Sequence, residues 1–292
     1  MILSKNSSTP ALKEGQILSR VGLTLFWVLA IFPVVFSILY ALLYSLGIIG
    51  YLSTGLTFEY FGRIWEDNEI LRSFLLSFYI SLMSTSLTVI IGLFISLGLS
   101  SSLKNGVLGV LIYLPLILPS AVAGLFVYLF MSSTGVLSRT LIELGLIENM
   151  QDFPAMINDP WAIGIIVAQV GIGAPFFAFL FTQIYNSEKL TEIKNLGYSL
   201  GATKIALYKR ATLPILLKKA KHQIILSFIF VFGSFEIPAI LGQHSPEMIS
   251  VLAVKKMGLF EIGQKPEAYV IAFIYCFVII TILALLFRKA KK

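Results

Sequence analysis

The sequence predicts an all-α membrane protein with six transmembrane helices, because it is very apolar and its few charges leave long uncharged segments between them. Of the 292 residues, 57% are hydrophobic and 13% are charged, whereas soluble domains carry about 25% charged residues. So few charged side chains would not cover the surface of a soluble globule. The composition therefore disfavours a soluble enzyme, a disordered chain and a small disulfide-stapled domain.

Each predicted span is a segment with no charge or a single charge. A helix needs about 20 mostly apolar residues to cross the hydrocarbon of a bilayer. The segments are continuous and longer than the roughly ten-residue alternating strands of a membrane barrel, so helices are favoured. The predicted spans are 21–46, 72–99, 107–131, 161–186, 215–241 and 268–287.

We interpret the first span as a retained helix, because it is longer than the 7–15-residue apolar region of a signal peptide and no small-residue cleavage site follows it. The six spans then form one transmembrane domain over residues 21–287. Short tails, residues 1–20 and 288–292, flank this domain.

The distribution of Lys and Arg predicts that both termini are cytoplasmic. With the N-terminus inside, 16 of the 22 basic residues and only 3 of the 15 acidic residues fall on cytoplasmic segments. The outer segments then hold 6 basic and 11 acidic residues. Cytoplasmic loops of membrane proteins carry an excess of Lys and Arg, so this orientation is the favoured one.

Two outer loops carry patterns of their own. Aromatic residues lie between acids in the loop 47–69, which predicts either an interfacial helix on the outer leaflet or an aromatic anchor for a loop. The loop 132–160 is long and acidic, and residues 136–147 could form a short amphipathic helix.

Small residues and prolines inside the spans indicate close packing and irregular backbone. Five small residues fall on one face of the fourth span, which favours close helix contact in lipid, with chance as the alternative; they are Gly164, Ala168, Gly171, Ala174 and Ala178. Prolines invite kinks or breaks, which membranes tolerate where the backbone lines a cavity; they are Pro33, Pro115, Pro119, Pro175 and Pro238. This combination favours a transport path over a passive anchor.

Glu236 is the one carboxylate within a predicted span. It lies 15 residues after Lys221, about 22 Å along a helix, and therefore in the outer third near a kink expected at Pro238, which is itself a candidate for the path or gate. A charge in a span is a functional hypothesis by default: Glu236 would face a cationic solute or stabilise a gate. The alternatives are that it reaches the interface or pairs with a neighbouring subunit.

Three polar residues within spans are weaker candidates for the same path. They are Ser120, Gln169 and Ser234. For each of them the alternative is a hydrogen bond to the backbone of its own helix.

The sequence offers no pattern for catalysis, metal or nucleotide binding. It contains no P-loop motif, and its two histidines, His222 and His244, fall on opposite sides of the predicted membrane. The single cysteine, Cys276, cannot form a disulfide within one chain. We therefore expect no catalytic, cofactor or metal site, and no nucleic-acid partner.

The long cytoplasmic loop 187–222 predicts a helix, a turn and a second helix. Leu190, Ile193, Leu196 and Leu200 follow the spacing of an amphipathic helix, and Gly201 fits the helix end. A short segment over 203–209 follows, and Pro214 fits the start of the next helix. Apolar side chains outside the membrane indicate a partner groove, and the alternative is a helix on lipid headgroups.

This loop resembles the EAA loop of the permease subunits of binding-protein-dependent ABC importers. The matching residues are Gly201, Ala202, Tyr208, Leu213 and Pro214. The Glu-Ala-Ala triplet itself is replaced, which bears on any salt bridge that the family's glutamate would form with its ATPase; the residues there are Asn195, Leu196 and Gly197.

Other segments extend the resemblance over most of the chain. Residues 56–60 with 72–74 resemble the family's entry to its second span, and residues 114–119 with 135–137 resemble its third span and the loop that follows. Residues 232–242 and 265–268 are similar to the branch that imports polyamines, ferric iron and aminoethylphosphonate.

The resemblance implies the type I ABC importer permease fold and a role for the EAA loop, residues 188–214. That loop would be the coupling helix, seated in a groove of a cytoplasmic ATPase dimer whose subunits bind the ATP. The implied contact residues are Asn195, Leu196, Gly197, Leu200, Gly201, Ala202, Tyr208, Leu213 and Pro214.

The resemblance also implies partners, a location and a solute class. The chain would form half of a translocation path in a prokaryotic cytoplasmic membrane, completed by a second permease subunit, the same chain or a different one. An extracytoplasmic binding protein would deliver a small charged solute such as a polyamine, ferric iron or an aminoalkylphosphonate. The alternative is an ion-gradient-driven secondary transporter, which more often carries paired membrane charges or inverted repeats.

Overall fold

The computed structural model describes residues 19–50, 55–66, 68–98, 114–258 and 265–290, and these residues form helices and connecting turns without a β-strand. Residues 1–18 and 291–292 of the tails, the connection 99–113 with the first residues of the third predicted span, and residues 51–54, 67 and 259–264 lie outside the described residues. The helices are α1 (Ser19–Ser45), α2 (Glu59–Glu66), α3 (Asn68–Gly98), α4 (Ser120–Met131), α5 (Val136–Glu143), α6 (Ile163–Ser187), α7 (Leu190–Ser199), α8 (Lys204–Leu207), α9 (Leu213–Phe232), α10 (Glu236–Leu241), α11 (Ile249–Gly258) and α12 (Lys265–Ala290).

Five helical segments of the described chain are long and apolar enough to cross a membrane. They are α1, α3, the segment Ser120–Glu143 that comprises α4 and α5, α6, and Lys265–Ala284 within α12. The fifth predicted span, 215–241, is not one continuous helix, because α9 ends at Phe232 and α10 begins at Glu236.

The break in this fifth segment lies before Pro238 and not at the kink expected there. Pro238 is the third residue of α10, where a helix has no acceptor for the backbone N–H that proline lacks. The helix therefore tolerates Pro238, and the irregular backbone falls on residues 233–235.

The other prolines affect the helices in different ways. Pro33 follows a π-helical stretch, Trp27–Ile31, within α1, and Pro119 is the N-cap residue of α4. Pro115 lies in a 3₁₀ turn, Leu114–Ile117. Helix α6 continues through Pro175 without a break.

The most extensive helix contact in the described chain joins α3 and α6. A Cβ atom built on Gly92 of α3 would lie 2.6 Å from the Cβ of Phe177, and one built on Gly173 of α6 would lie 2.7 Å from the Thr88 methyl group. The buried face of α3 consists largely of small residues: Ser73, Ser77, Ser81, Ser84, Thr85, Thr88, Gly92 and Ser96. Side chains of this size let two backbones approach closely.

The small face predicted on α6 is confirmed at four of its five positions. Gly164, Ala168, Ala174 and Ala178 are buried, whereas Gly171 is exposed. The sequence pattern thus identified a buried face of α6, but it did not identify Gly173, which approaches Thr88 of α3, or the hydroxyl-bearing buried face of α3.

Three apolar clusters fill the space between the helices. The cluster nearest α7 joins α3, α6 and α9 through Val89, Phe177, Phe181, Leu190, Leu216 and Ala220. A central cluster joins α3, α6 and α10, and includes Ile80, Ile165, Ile237 and Leu241. The third lies between α2, α3, α11 and α12, and includes Tyr60, Ile64, Ile249 and Val270.

The loop 47–69, for which the sequence predicts either an interfacial helix or an aromatic anchor, contains a helix, α2. Its apolar side chains Tyr60 and Ile64 are buried in the third cluster, so the protein's own α12 covers them. In the loop 132–160, the amphipathic helix expected over 136–147 is the shorter α5.

Candidate functional site

A helical segment outside the spans, comprising α7 and α8, is the first candidate site. A tight turn joins α6 to α7, with Lys189 at a left-handed φ of 49° as the N-cap residue. The first residue of α7, Leu190, is only 1% exposed and packs in the same cluster as Phe181 and Leu216. The base of α7 is therefore fixed to the core formed by α3, α6 and α9.

The C-terminus of α7 has the hydrogen bonds of a Schellman motif. Gly201 has a φ of 80°, and its backbone N–H donates to the carbonyl of Tyr198 at 3.0 Å. The N–H of Ala202 donates to the carbonyl of Gly197 at 2.9 Å. The helix end that the sequence predicted at Gly201 is thus present, and it needs a residue that tolerates a left-handed backbone.

Helix α8 folds back against α7 at Gly197. A Cβ atom at Gly197 would overlap the side chain of Leu207, so a larger residue there would require Leu207 to move. The side chain of Thr203 caps α8 by accepting a hydrogen bond from the N–H of Ala206. The two helices therefore form one compact unit.

Lys194 is a functional candidate that the sequence reasoning missed. Its ammonium nitrogen lies 4.8 Å from the ring centre of Tyr185 and 4.0 Å from that of Tyr208. Burial acts to lower the pKa of Lys194, but the two phenol groups outweigh it and raise the pKa above its ordinary value. The ammonium charge therefore persists at neutral pH and holds α7 between the end of α6 and the segment Tyr208–Thr212.

The surface of this unit away from the spans is apolar. Leu196, Leu200 and Ile205 are 63%, 80% and 68% exposed. Asn195, Gly201, Leu213 and Pro214 of the predicted contact set are also exposed, while Gly197, Ala202 and Tyr208 are partly buried. Such an exposed row on a rigid helix is suited to a partner groove.

The second candidate site is a polar contact between α6 and the break after α9. The amide nitrogen of Gln169, a residue only 6% exposed, donates to the hydroxyl of Ser234 at 2.9 Å. That hydroxyl donates in turn to the carbonyl of Val231 at 2.9 Å. Two predicted path residues that are 65 positions apart are thus brought together.

Ser250 compensates for the N–H that Pro238 lacks. In a continuous helix the N–H of residue 238 would bond to the carbonyl of Ser234. Instead, the Ser250 hydroxyl donates to that carbonyl at 2.6 Å. On the other side of the break, a Cβ atom at Gly233 would overlap the hydroxyl of Tyr275, so α11 and α12 both fix the irregular backbone.

The remaining predicted path residues do not join this contact. Glu236 is exposed at the start of α10 and has no ion pair or side-chain hydrogen bond within the described part of the chain. Pro238 is buried, and Ser120 is half-buried at the start of α4. Helix α4 instead reaches α10 at Gly124, where a Cβ atom would lie 3.6 Å from the Cα of Ile237.

The chain is similar in sequence to transport-system permeases, although no family model matches it. Over 200 residues it is 28% identical to the maltose/maltodextrin permease MalF of Vibrio vulnificus and 30% identical to that of Vibrio parahaemolyticus. The match covers 65% of this chain but 37% of the MalF length. NifC of Clostridium pasteurianum, a probable transport permease, is 25% identical over 172 residues, 58% of this chain and 56% of that protein.

The fold is also that of a solved ABC importer. A chain of a bacterial ABC transporter involved in alginate import superposes with a TM-score of 0.69 at 18% identity, covering 97% of this chain and 98% of that one. A second structure, that transporter with a periplasmic protein bound to alginate pentasaccharide, gives a TM-score of 0.68 and covers 94% of both chains. The expected importer-permease fold is confirmed. The resemblance to the polyamine, ferric-iron and aminoethylphosphonate branch is not confirmed by these relatives.

We predict that Ser250→Ala lowers the free energy of unfolding by about 1 kcal/mol, because it removes the hydroxyl that donates to the partly buried carbonyl of Ser234. Ser37→Ala is the matched control, since Ser37 forms the same kind of hydroxyl-to-carbonyl bond on an exposed face of α1. Thermal unfolding of the purified chain measures both variants. Equal unfolding midpoints for Ser250→Ala and Ser37→Ala would show that the Ser250 hydrogen bond does not stabilise the break between α9 and α10.

Proposed function

We propose that this chain is the membrane-spanning permease subunit of an ATP-driven, binding-protein-dependent importer. One observation carries the proposal: a compact, apolar helix pair, α7 with α8, stands outside the spans and is anchored through Leu190 in the core between α3, α6 and α9. The similarity to transport permeases and the shared fold support this role.

In this proposal the α7–α8 unit docks in a groove of a cytoplasmic ATPase. Leu196, Leu200 and Ile205 supply the apolar contact, and the other contacts come from the segment 195–214. The glutamate of the family's EAA loop is absent here, so apolar burial and the rigidity of the unit carry the coupling. A shift of α7 moves Leu190 against Phe181 of α6 and Leu216 of α9.

Transport then follows from two packings of the same helices. ATP binding would close the ATPase dimer and draw the α7–α8 unit with it, which favours one orientation of α6 and α9 over the other. The break at residues 233–235 and the Gln169–Ser234 contact would lie along the path, since irregular backbone at membrane depth is tolerated where it lines a cavity.

The proposal includes further partners and a location. A second permease subunit completes the path, an extracytoplasmic binding protein delivers the solute, and the complex lies in the lipid of a prokaryotic cytoplasmic membrane. Exposed apolar side chains along α1, α3 and α4, such as Leu29, Leu75 and Leu129, supply surface for lipid and for the second subunit.

The solute is proposed from two observations that favour different classes. The exposed carboxylate of Glu236, which has no ion pair within the described residues, favours a cationic solute such as a polyamine or ferric iron. The neutral amide and hydroxyl of Gln169 and Ser234, together with similarity to a maltose/maltodextrin permease, favour a carbohydrate. An ion-gradient-driven transporter is the second candidate function, but the single carboxylate of Glu236 supports it less than the paired membrane charges that such transporters more often carry.

We predict that Gly201→Val uncouples transport from ATP hydrolysis in the reconstituted importer. A side chain at a φ of 80° costs about 1–2 kcal/mol or more, and the end of α7 would distort. Solute uptake should fall about tenfold or more while ATP hydrolysis and membrane insertion persist.

Gly145→Val is the matched control for this variant. Gly145 follows α5 with a φ of 70°, and nothing lies within 4 Å of its added Cβ atom, as at Gly201. Its backbone strain is therefore similar, but it lies in the predicted outer loop, on the opposite side of the membrane from α7 in the predicted topology, and should leave coupling unchanged. Normal uptake by the Gly201 variant would contradict the placement of the coupling turn.

We predict that Glu236→Gln raises the KM for a cationic solute about tenfold, since one charged contact is worth about 1.4 kcal/mol or more. Uptake of a labelled polyamine and of a labelled maltodextrin is measured side by side. Glu143→Gln, in an exposed outer position, is the control. Unchanged affinity and rate for the transported solute would remove Glu236 from the mechanism.

A further inference from the structure

An open pocket lies at the predicted outer end, between the C-terminal end of α4 and the segment 150–158 that precedes α6. Its volume is about 540 Å³, within the range of about 300–1,000 Å³ that is typical of small-molecule sites. Phe153, which is 6% exposed, and the partly buried Met156 and Ile157 belong to its lining. The ring of Tyr128, 42% exposed, lines the same space. The pocket therefore combines a buried apolar part with an accessible aromatic ring.

The polar part of this lining is neutral. None of the 12 lining residues is charged. Hydroxyl and amide groups come from Tyr128, Ser132, Ser133, Thr134, Gln151 and Asn158. The side chains of these six residues form no hydrogen bond within the described part of the chain. Because hydroxyls and amides both donate and accept hydrogen bonds, they are available in both directions to a ligand.

Backbone contacts fix the segments that carry these groups. In the turn after α4, the N–H of Gly135 donates to the carbonyl of Ser132 at 2.8 Å. A capping box closes the 3₁₀ turn Met150–Asp152 on the other side of the pocket. The N–H of Gly164 on α6 donates to the carbonyl of Met156 at 2.9 Å. A pocket that is formed in advance binds without a large ordering cost.

Helix α10 joins the pocket to the break after α9. This helix follows the break directly and ends at Leu241, whose carbonyl accepts a hydrogen bond from the N–H of Asn158 at 3.0 Å. Tyr128 lies about one turn beyond Gly124 on α4, and Gly124 is the residue that approaches Ile237 of α10. A ligand in the pocket would therefore contact segments that pack directly against α10.

We propose that this pocket binds one hexose unit of a neutral oligosaccharide at the outer mouth of the path. The hydroxyls of a pyranose ring match the neutral hydroxyls and amides of the lining, and its C–H groups pack against the ring of Tyr128. A polyamine or an acidic saccharide would lose hydration of its charge without gaining an opposite charge. The proposal rests on the proposed function for its role in transport, and it assigns the solute to the carbohydrate class.

The first test measures saturation-transfer NMR from the purified full chain to maltotriose. The chain is held in lipid nanodiscs without any sugar-based detergent, because such a detergent would compete for the pocket. Maltotriose should show saturable binding. An acidic trisaccharide of mannuronate and the polyamine spermidine should bind at least about tenfold more weakly, because their charges have no partner in the pocket.

The second test locates the binding with two variants and a matched control for each. Tyr128→Ala should weaken maltotriose binding about two- to tenfold through loss of the aromatic contact. Phe130→Ala is its control, because Phe130 is 41% exposed on the same helix but does not line the pocket. Gln151→Ala, in an exposed turn, should weaken binding to a similar degree without any change in α4. Its control is Glu148→Gln, which is exposed and outside the lining.

Each outcome either supports or overturns the proposal. Binding of maltotriose that falls in both pocket variants and persists in both controls supports it. No saturation transfer to the native chain's maltotriose, or equal transfer in all four variants, overturns the pocket as a sugar site. Equally strong binding of spermidine or the mannuronate trisaccharide overturns the neutral class. The measurement needs neither ATPase nor binding protein, so a negative result leaves the proposed coupling through α7 and α8 to its own test.

Discussion

The close approach of α3 and α6 is the constraint on which the rest of the structure depends. Lipid chains are as apolar as Leu side chains, so helices in a bilayer associate through tight packing and not through the hydrophobic effect. Here, the buried face of α3 consists largely of small residues, and glycines bring the two helices together where Gly92 meets Phe177 and Gly173 meets Thr88. Both candidate sites are built on α6, with Gln169 in its second turn and α7 following its C-terminal end.

This arrangement gives α6 a direct mechanical role in the proposed transport. Leu190, at the base of α7, touches the cluster that includes Phe181 of α6 and Leu216 of α9. Further along, α6 meets the break after α9 through Ser234, whose carbonyl is bonded by Ser250 of α11. A displacement at α7 therefore reaches the irregular backbone through side chains already in contact, without a flexible connection between them.

Local sequence patterns predicted part of this structure, and contacts between distant segments account for the rest. The helix end at Gly201 and the small face of α6 follow from residues close together in the chain, and both were predicted. Lys194 bonds to two tyrosines on different elements, and Ser250 satisfies a carbonyl 16 residues away. No periodic pattern in the surrounding sequence identifies residues whose partners lie on other helices. The sequence predicted a kink at Pro238, but the break lies before it, because proline is tolerated in the first turn of a helix.

The most direct test of the proposed coupling is site-specific photocrosslinking from Leu200 in cells of the native host. Leu200 is the most exposed apolar residue of the α7–α8 unit at 80%, and Phe94 on α3, 74% exposed, serves as the lipid-facing control position. We predict that a crosslinker at position 200, and not at position 94, captures an ATPase with a nucleotide-binding P-loop. Capture of lipid alone, or of the same proteins from both positions, would contradict the proposed coupling.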